Sequence, residues 1–399
     1  MPALEGRRLW FAGIGGAGLS GYAVVSRAWG AEVSGWDRRE TPYLAHVRNA
    51  GIPVTVSSDP PAPPAGAEAI VSTAFAERVE GRSRADFLAE LVGLGRSIVV
   101  AGAHGKTTTA AMIAYCLDGL GDDPTFLVGG EVPQLGGNAR AGSGWLVVEG
   151  DESDGTVFAL PADIAVVTNV ELDHHTSFVS AAELVERFER WAAALPQGKV
   201  VWGRDLEPAE LELAVPGEHN RLNAACALAA LELAGFERAA AAGVLAGFRG
   251  AGRRLEEHGE AGGVRLVDDY AHHPSEVSAT IAAARSLARG RIVVLFQPHL
   301  YSRTRHLGRE LGAALAAADA AVVTEIYPAR EDPVAGVSGK LVADAVTAVR
   351  PGMAVGWAPA LADAAAVASS LARPGDLLLT MGAGDVDSAL PLLRERLAA

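Results

Sequence analysis

Residues 97–109 read SIVVAGAHGKTTT: a short β-branched run, glycines at 102 and 105, a lysine at 106 and three threonines. The run reads as a buried strand and the stretch after it, TTTAAMIAYCLDGLG, as a helix. A strand that turns through glycine into a helix at lysine is the layout of a phosphate loop. Backbone N–H groups after Gly105 cradle phosphate oxygens there. Lys106 adds a point charge for the β- and γ-phosphates, and a threonine hydroxyl ligates Mg²⁺. The loop is shortened, because the standard spacing needs glycine at 100, where Val100 stands.

Such a loop needs a carboxylate near the metal. The apolar run WLVVEG (145–150) ends in Glu149, followed by Asp151, Glu152 and Asp154. Four acids in six residues at a strand end point to a cation site, and oxygen ligands suit Mg²⁺. IAVVTNV (164–170) leads into ELDHH, so His174 or His175 is expected to reach a second metal or a phosphate. Ligands collect at the C-terminal ends of strands in open α/β sheets.

Outward from this centre the pattern repeats. Upstream come LWFAG (9–13), AEVSGWD (31–37) and AIVST (69–73), with a proline-rich loop at 57–69 and a helix expected over 84–95. Downstream come VRLVDDY (264–270), RIVVLFQ (291–297), AAVVTEI (320–326) and DLLLTMG (376–382), separated by helices such as 275–288. Continuous apolar runs are the signature of parallel strands buried on both faces. The expected fold class is α/β, as three consecutive modules: 1–96, 97–247 and 248–399. Joints are expected near 96 and 247.

Composition narrows the function. A net charge of −14 disfavours nucleic acid and anionic membranes as partners. Lysine is scarce, with only Lys106, Lys199 and Lys340. Cys116 and Cys226 sit in helical stretches and form no CxxC pair, so they read as core thiols. The opening MPALEGRRLWFAGIGG has no signal-like run, and no 18-residue apolar stretch follows. A cytoplasmic enzyme is expected.

Two further constellations flank the phosphate loop. Gly13, Gly15 and Gly18 form GxGxxG between a strand and a helix, and Asp37 ends the next strand. This matches a dinucleotide fingerprint, but the physics specifies only a diphosphate at a helix N-terminus. A UDP-sugar satisfies it as well as NAD. In the last module DDYAHHP (268–274) and QPHLYSRTR (297–305) both follow strands. Arg303 and Arg305 there are expected to clamp a carboxylate or phosphate, with Arg253 and Arg254 ahead of the first strand. Seven of the ten histidines fall in five short segments, at 104, 174–175, 219, 272–273 and 299.

Taken together, GIGGAGLSG (13–21), VSGWD (33–37), AGAHGKTTT (101–109), EGDESD (149–154) and TNVELDH (168–174) resemble the Mur ligase family. GEHNRLNA (217–224), RRLE (253–256), DDYAHHP, FQPHLYSRT (296–304), IYPARE (326–331) and LTMGAGD (379–385) continue the match in order. The closest pattern within the family is the branch that joins L-alanine to UDP-N-acetylmuramate. The resemblance implies a Rossmann-like first module for the uridine diphosphate, a P-loop ATPase-like middle one for ATP, and a Rossmann-like last one for the amino acid.

Carried over, Gly13, Gly15, Gly16, Gly18, Ser20 and Asp37 would serve the UDP-sugar. Gly102, His104, Gly105, Lys106, Thr107, Thr108, His219, Asn220 and Arg254 would serve ATP. Thr107, Glu149 and His174 would hold Mg²⁺, and Tyr270, His272 and Arg303 would face the amino acid. Lys106, Glu149, His174 and His272 would be the catalytic set. ATP's γ-phosphate would pass to the lactyl carboxylate of UDP-N-acetylmuramate, and the amine of L-alanine would attack the acyl phosphate. The expected partners are these small molecules alone, with the chain a monomer or weak dimer.

Four departures accompany the resemblance. Leu300 stands where the family usually has arginine. The middle module is short between 205 and 215, and the first is abbreviated near 72–84. No lysine lies between Lys106 and Lys199 to be carbamoylated as a metal ligand. Three rival readings follow. One is a ligase that recycles a tripeptide onto the same sugar nucleotide. Another is a nicotinamide dehydrogenase built on Gly13, Gly15, Gly18 and Asp37. The third is a non-catalytic relative, set against by the retained Lys106, Glu149, His174 and His272.

Overall fold

A computed structural model describes residues 3–172, 180–195, 199–329 and 331–398. Its architecture is α/β, with three separate sheets of mostly parallel strands.

The first sheet comprises β1 (Arg8–Ala12), β2 (Glu32–Asp37), β3 (Val54–Val56), β4 (Glu68–Val71) and β5 (Arg82–Ser83), in the order β3-β2-β1-β4-β5. All its pairings are parallel. The strand order reverses between β1 and β4, the kind of switch point at whose C-terminal ends open α/β sheets bind ligands. The turn from β1 into α1 (Ala17–Ala28) lies at that point. The helix expected over 84–95 is α3 (Arg84–Gly93), which follows the short α2 (Leu44–Asn49).

The second sheet runs β11-β10-β6-β9-β7-β8. Its members are β6 (Ser97–Ala101), β7 (Thr125–Val132), β8 (Gly137–Arg140), β9 (Leu146–Glu149), β10 (Ile164–Val167) and β11 (Val200–Trp202). β6 is buried along its whole length and lies between β10 and β9. Burial on both faces explains the unbroken Ile98-Val99-Val100 run. Among the described strands of this sheet only β8 runs antiparallel, as a hairpin with β7. α4 (Lys106–Gly119), α5 (Ala181–Ala194), α6 (Glu218–Leu233) and α7 (Arg238–Leu245) belong to this stretch of chain.

The third sheet runs β12-β13-β17-β14-β15-β16. It is built from β12 (Glu256–Ala261), β13 (Val264–Asp269), β14 (Ile292–Phe296), β15 (Ala320–Val323), β16 (Ala354–Trp357) and β17 (Leu377–Met381). β12 pairs antiparallel with β13 at the edge, and the other pairings are parallel. Because β17 lies between β13 and β14, the loops after these three strands emerge side by side. α8 (Pro274–Leu287), α9 (Tyr301–Leu315), α10 (Lys340–Val349), α11 (Leu361–Leu371) and α12 (Leu390–Ala398) accompany this sheet.

The chain divides into two compact units: the first and second sheets share one, and the third sheet lies in the other with residues 214–221. Within the first unit α1 packs on β7 and β8. Gly21 permits that approach, since a Cβ there would sit 3.0 Å from both Ala139 Cβ and Leu127 Cδ2. Asn138 Nδ2 donates to the Ala17 carbonyl over 3.1 Å, so the second sheet also grips the start of α1. No helix among the described residues is long and apolar enough to cross a membrane.

Candidate active site

The turn after β6 has a shape that only glycine allows. Gly102 has φ +123°, and a Cβ there would lie 2.3 Å from Thr168 Oγ1. Gly105, at φ +77°, would push a Cβ to 2.3 Å from Asn223 Oδ1. Side chains on both sides therefore press against bare backbone. Val100, in place of the standard first glycine, is a buried strand residue in register with Glu149 and Val166. The loop starts later because the strand continues further.

Two residues past β10 hold the loop in place. Thr168 Oγ1 donates to the His104 carbonyl over 2.6 Å. Asn169 accepts from the His104 N–H and donates to the His104 carbonyl, each over 2.9 Å. Gly105 caps α4 with no side-chain hydrogen bond, so the first amides of the helix face outward from the turn. That is a ready anion site. His104 Nε2 lies 3.4 Å from Glu171 Oε2.

Lys106, the first residue of α4, folds back over the turn. Its Nζ donates to the carbonyls of Gly102 (2.6 Å) and Ala103 (3.2 Å), and to both oxygens of Glu152 (3.1 and 2.9 Å). The lysine side chain is 16% exposed and the glutamate 2%. Burial pushes the Glu152 carboxyl up to about 7, against the pull of Lys106. Burial also works against the Lys106 charge, yet Glu152, Glu149 and Asp151 outweigh it and hold the ammonium above its usual range.

Next to this pair, Thr107 Oγ1 donates to Glu149 Oε1 over 3.1 Å, and the Gly129 N–H donates to Glu149 Oε2 over 2.7 Å. A hydroxyl and a carboxylate oxygen thus converge beside the phosphate turn. This hard-oxygen set fits Mg²⁺. The expected four-acid cation cluster is not what the chain builds. Glu152 belongs to Lys106. Asp154 meets Arg84 at 2.5 Å, and Asp151 caps its own turn through the Ser153 N–H at 2.9 Å. Successive acids on a tight turn point different ways, which composition alone does not reveal. His174 and His175 lie outside the described residues.

The glycine turn after β1 is equally constrained. Gly13 has φ +88°, and a Cβ there would press to 2.9 Å from the Phe75 ring and from Ser72 Cβ. Phe75 in turn packs edge-on against the buried Trp36. The Gly15 N–H donates to Asp37 Oδ2 over 2.8 Å, and Thr41 Oγ1 donates to the Gly15 carbonyl over 2.7 Å. Asp37 also accepts from the Arg39 N–H at 3.4 Å, so its carboxylate braces the turn. Gly16 caps α1 without a side-chain bond, which leaves amides there for a diphosphate. Gly18 faces Arg84 and Tyr22, while Ser20 is buried and its hydroxyl donates to the Ala17 carbonyl over 3.1 Å.

In the second unit the loops after β13, β14 and β15 carry an aromatic row. Ring centroids run Tyr270–His272 at 5.5 Å, His272–His299 at 5.8 Å and His299–Tyr327 at 5.8 Å. His272 Nδ1 lies 2.9 Å from the Tyr270 carbonyl, which favours the Nδ1–H tautomer. The guanidinium carbons of Arg253 and Arg254 both lie 5.2 Å from the Tyr270 ring centre. Arg254 lies 4.0 Å from Glu276, and burial together with Arg254 holds His219 below its usual range. Asn220 Nδ2 donates to the Pro216 carbonyl over 2.7 Å.

Two family models match the chain. One, described as the Mur ligase family catalytic domain, covers residues 8–95, and the other, the Mur ligase glutamate ligase domain, covers residues 253–384. The chain is 39% identical to the UDP-N-acetylmuramate–L-alanine ligase of Rubrobacter xylanophilus, over 96% of this chain and 99% of that one. The chain belongs to the Mur ligase family. It is also 42% identical to the enzyme of that name from Kineococcus radiotolerans, over 98% of this chain and 97% of the relative. The crystal structure of the UDP-N-acetylmuramate–alanine ligase of Thermotoga maritima matches 98% of both chains with a TM-score of 0.80 and 26% identity.

As a Mur ligase the chain is trimmed. The alignment with the Rubrobacter relative spans 441 positions, more than the 399 residues here, so parts of the relative have no counterpart. Family membership also decides the glycine turn after β1 in favour of a ligase over a dehydrogenase.

One expectation for this Mur ligase fails on helix geometry. Arg303 and Arg305 cannot clamp one anion together, because two residues apart on α9 they face different sides. Arg303 is buried at 2% exposure with its NH1 2.9 Å from His299 Nδ1, while Arg305 is exposed. Arg253 is committed as well: it bonds Asp268 (2.8 Å) and the carbonyls of Gly384 (2.9 Å) and Gly382 (2.8 Å). Thr168, Asn169, Asn223 and Glu152 were not singled out as loop-holding residues in the sequence. The one signal they leave there is proximity to strand ends and helix starts.

Proposed function

We propose that this Mur ligase uses ATP to activate the lactyl carboxylate of UDP-N-acetylmuramate and joins it to L-alanine, in the cytoplasm, as a step in making peptidoglycan precursors. The observation that carries the reading is the β6–α4 turn. Glycine-only backbone, outward amides, the Lys106 ammonium and the Thr107–Glu149 oxygen pair meet there in one place. The names of the relatives supply the substrates.

In this reading modules 1–96, 97–247 and 248–399 take the sugar nucleotide, ATP and the amino acid in turn. The amides of Gly13, Gly15, Gly16 and Gly18 at the start of α1 receive the diphosphate, in a turn shaped by Asp37 and Ser20. Gly102, His104, Gly105, Thr107 and Thr108 receive the ATP phosphates, and His219, Asn220 and Arg254 serve the rest of the nucleotide. Thr107, Glu149 and His174 would hold Mg²⁺, which neutralises phosphate charge when bound.

Lys106 leaves Glu152 for the β- and γ-phosphates and stabilises the negative charge that spreads over the transferring phosphoryl group. The carboxylate oxygen of the sugar nucleotide bonds to the γ-phosphorus as the bond to ADP breaks, giving an acyl phosphate. Tyr270, His272 and Arg303 orient the amino acid. Its amine then attacks the acyl carbon, phosphate leaves, and the amine loses a proton. His272, held through Nδ1 on the Tyr270 carbonyl, is the group suited to accept that proton at Nε2.

ADP release measured with UDP-N-acetylmuramate and a panel of acceptors tests the reading. L-Alanine is expected to drive turnover. Turnover with a tripeptide alone would make the chain a recycling ligase instead.

A further inference from the structure

One charged side chain reaches from the α1 turn to the acid turn that follows β9. Arg84 opens α3 at the edge of the first sheet. Its NH2 lies 2.5 Å from Asp154 Oδ2 and 3.8 Å from Asp151 Oδ2. Its NH1 comes within 3.4 Å of the point where a Cβ on Gly18 would stand, with the Tyr22 hydroxyl 3.8 Å from that point. The guanidinium therefore sits between the α1 turn and the acid turn that follows β9.

Both ends of this link are held by hydrogen bonds. Ser83 caps α3 by accepting the Asp86 N–H at 3.1 Å, and β5 pairs with β4 immediately before it. On the other side Asp154 Oδ1 accepts the Thr156 N–H at 3.0 Å. The Gly155 N–H donates to the Glu152 carbonyl, and the Val157 N–H to the Asp151 carbonyl, each over 3.0 Å. The turn shows Asp151 and Asp154 to Arg84 and buries Glu152 against Lys106. Asp154 is thus connected to the lysine through one short hydrogen-bonded turn. Packing of α1 on β7 and β8, fitted by Gly21, already docks the two sheets, so docking alone does not call for this ion pair.

We propose that Arg84 is a positioning residue for phosphoryl transfer: through Asp154 it fixes the turn that carries Glu152, and so sets Lys106 relative to the α1 turn where the sugar nucleotide binds. The proposal rests on the ligase reading above. A displacement of about 1 Å at a reacting group costs up to about a hundredfold in rate, so a link of this kind acts on kcat.

The test uses the full chain and four variants: R84A, R84K, D154N and R84A/D154N. Wild-type ADP release is measured first, and its failure would remove the ligase reading itself. With wild type active, R84A is expected to lose about tenfold or more in kcat. R84K is expected to recover part of it, and the affinity for UDP-N-acetylmuramate, by calorimetry, is expected to stay within about threefold. D154N is expected to reproduce the loss, and the double variant to lose no more than R84A alone, because the pair acts as a unit. Wild-type kcat in R84A would overturn the proposal. So would losses that multiply in the double variant, or sugar-nucleotide binding that falls as far as kcat. If R84A folds poorly, D154N decides: unchanged kcat there overturns the link.

Discussion

Lys106 Nζ lies 2.9 Å from Glu152 Oε2, a nearly buried ion pair inside the phosphate turn. A phosphate arriving at the turn competes with Glu152 for the ammonium. Removing one partner of a buried pair leaves the other charge uncompensated and costs about 3 kcal/mol or more. E152Q is therefore expected to melt well below wild type. Mg·ATP or a non-hydrolysable analogue is expected to raise its melting temperature more than it raises that of wild type, since phosphate replaces the lost carboxylate. Equal ligand shifts in the two proteins, by thermal denaturation, would contradict this.

Lys106→Ala separates the two substrate sites. The lysine belongs to the β6–α4 turn, while the sugar nucleotide is assigned to the β1–α1 turn. Ligation is expected to fall by about a thousandfold, with UDP-N-acetylmuramate binding unchanged by calorimetry. Parallel loss of both would show that the two turns do not divide the work in this way.

Gly105→Ala tests the shape of the turn. The backbone there has φ +77°, and the added Cβ meets Asn223 Oδ1 at 2.3 Å. Strain of this kind costs about 1–3 kcal/mol. The variant is expected to lose stability by urea unfolding and to raise the KM for ATP about tenfold or more. Adding Asn223→Ala should relieve the clash but not the dihedral, so stability should return only in part. Full recovery would mean that contact alone requires the glycine.

Much of the fold was legible because parallel strands buried on both faces write themselves as apolar runs: Ile98–Val100, Ile292–Phe296 and Leu377–Met381. The antiparallel edges were not. β8 is Gly137–Arg140 and β12 is Glu256–Ala261, mostly polar or glycine-rich segments whose pairing partners make them strands. The site divides in the same way. Lys106, Thr107 and Glu149 announce themselves because the phosphate turn is a local motif. Asn169, Asn223 and Arg84 act on neighbours 65 or more positions away, and no local pattern encodes such a contact.

Asp269 gives a pH signature. Burial pushes its carboxyl up to about 6, opposed by Arg254 and by the amides of Ala271 and Leu255. The unfolded chain releases this proton near pH 4, so between about pH 4 and 6 the folded state holds a proton that the unfolded state has lost. Stability from this group is full at the acid end and is lost as pH rises through that window, by at most about 1.4 kcal/mol per unit. Urea unfolding of wild type against D269N should show wild type losing its relative advantage from pH 4 to 6, and a flat difference above. A difference independent of pH would contradict the raised value.

The most direct measurement is ADP release by the purified chain with UDP-N-acetylmuramate, L-alanine and Mg·ATP all present. The account predicts turnover that needs all three substrates and disappears in Lys106→Ala. Folded wild-type protein that leaves ATP intact under those conditions would contradict it.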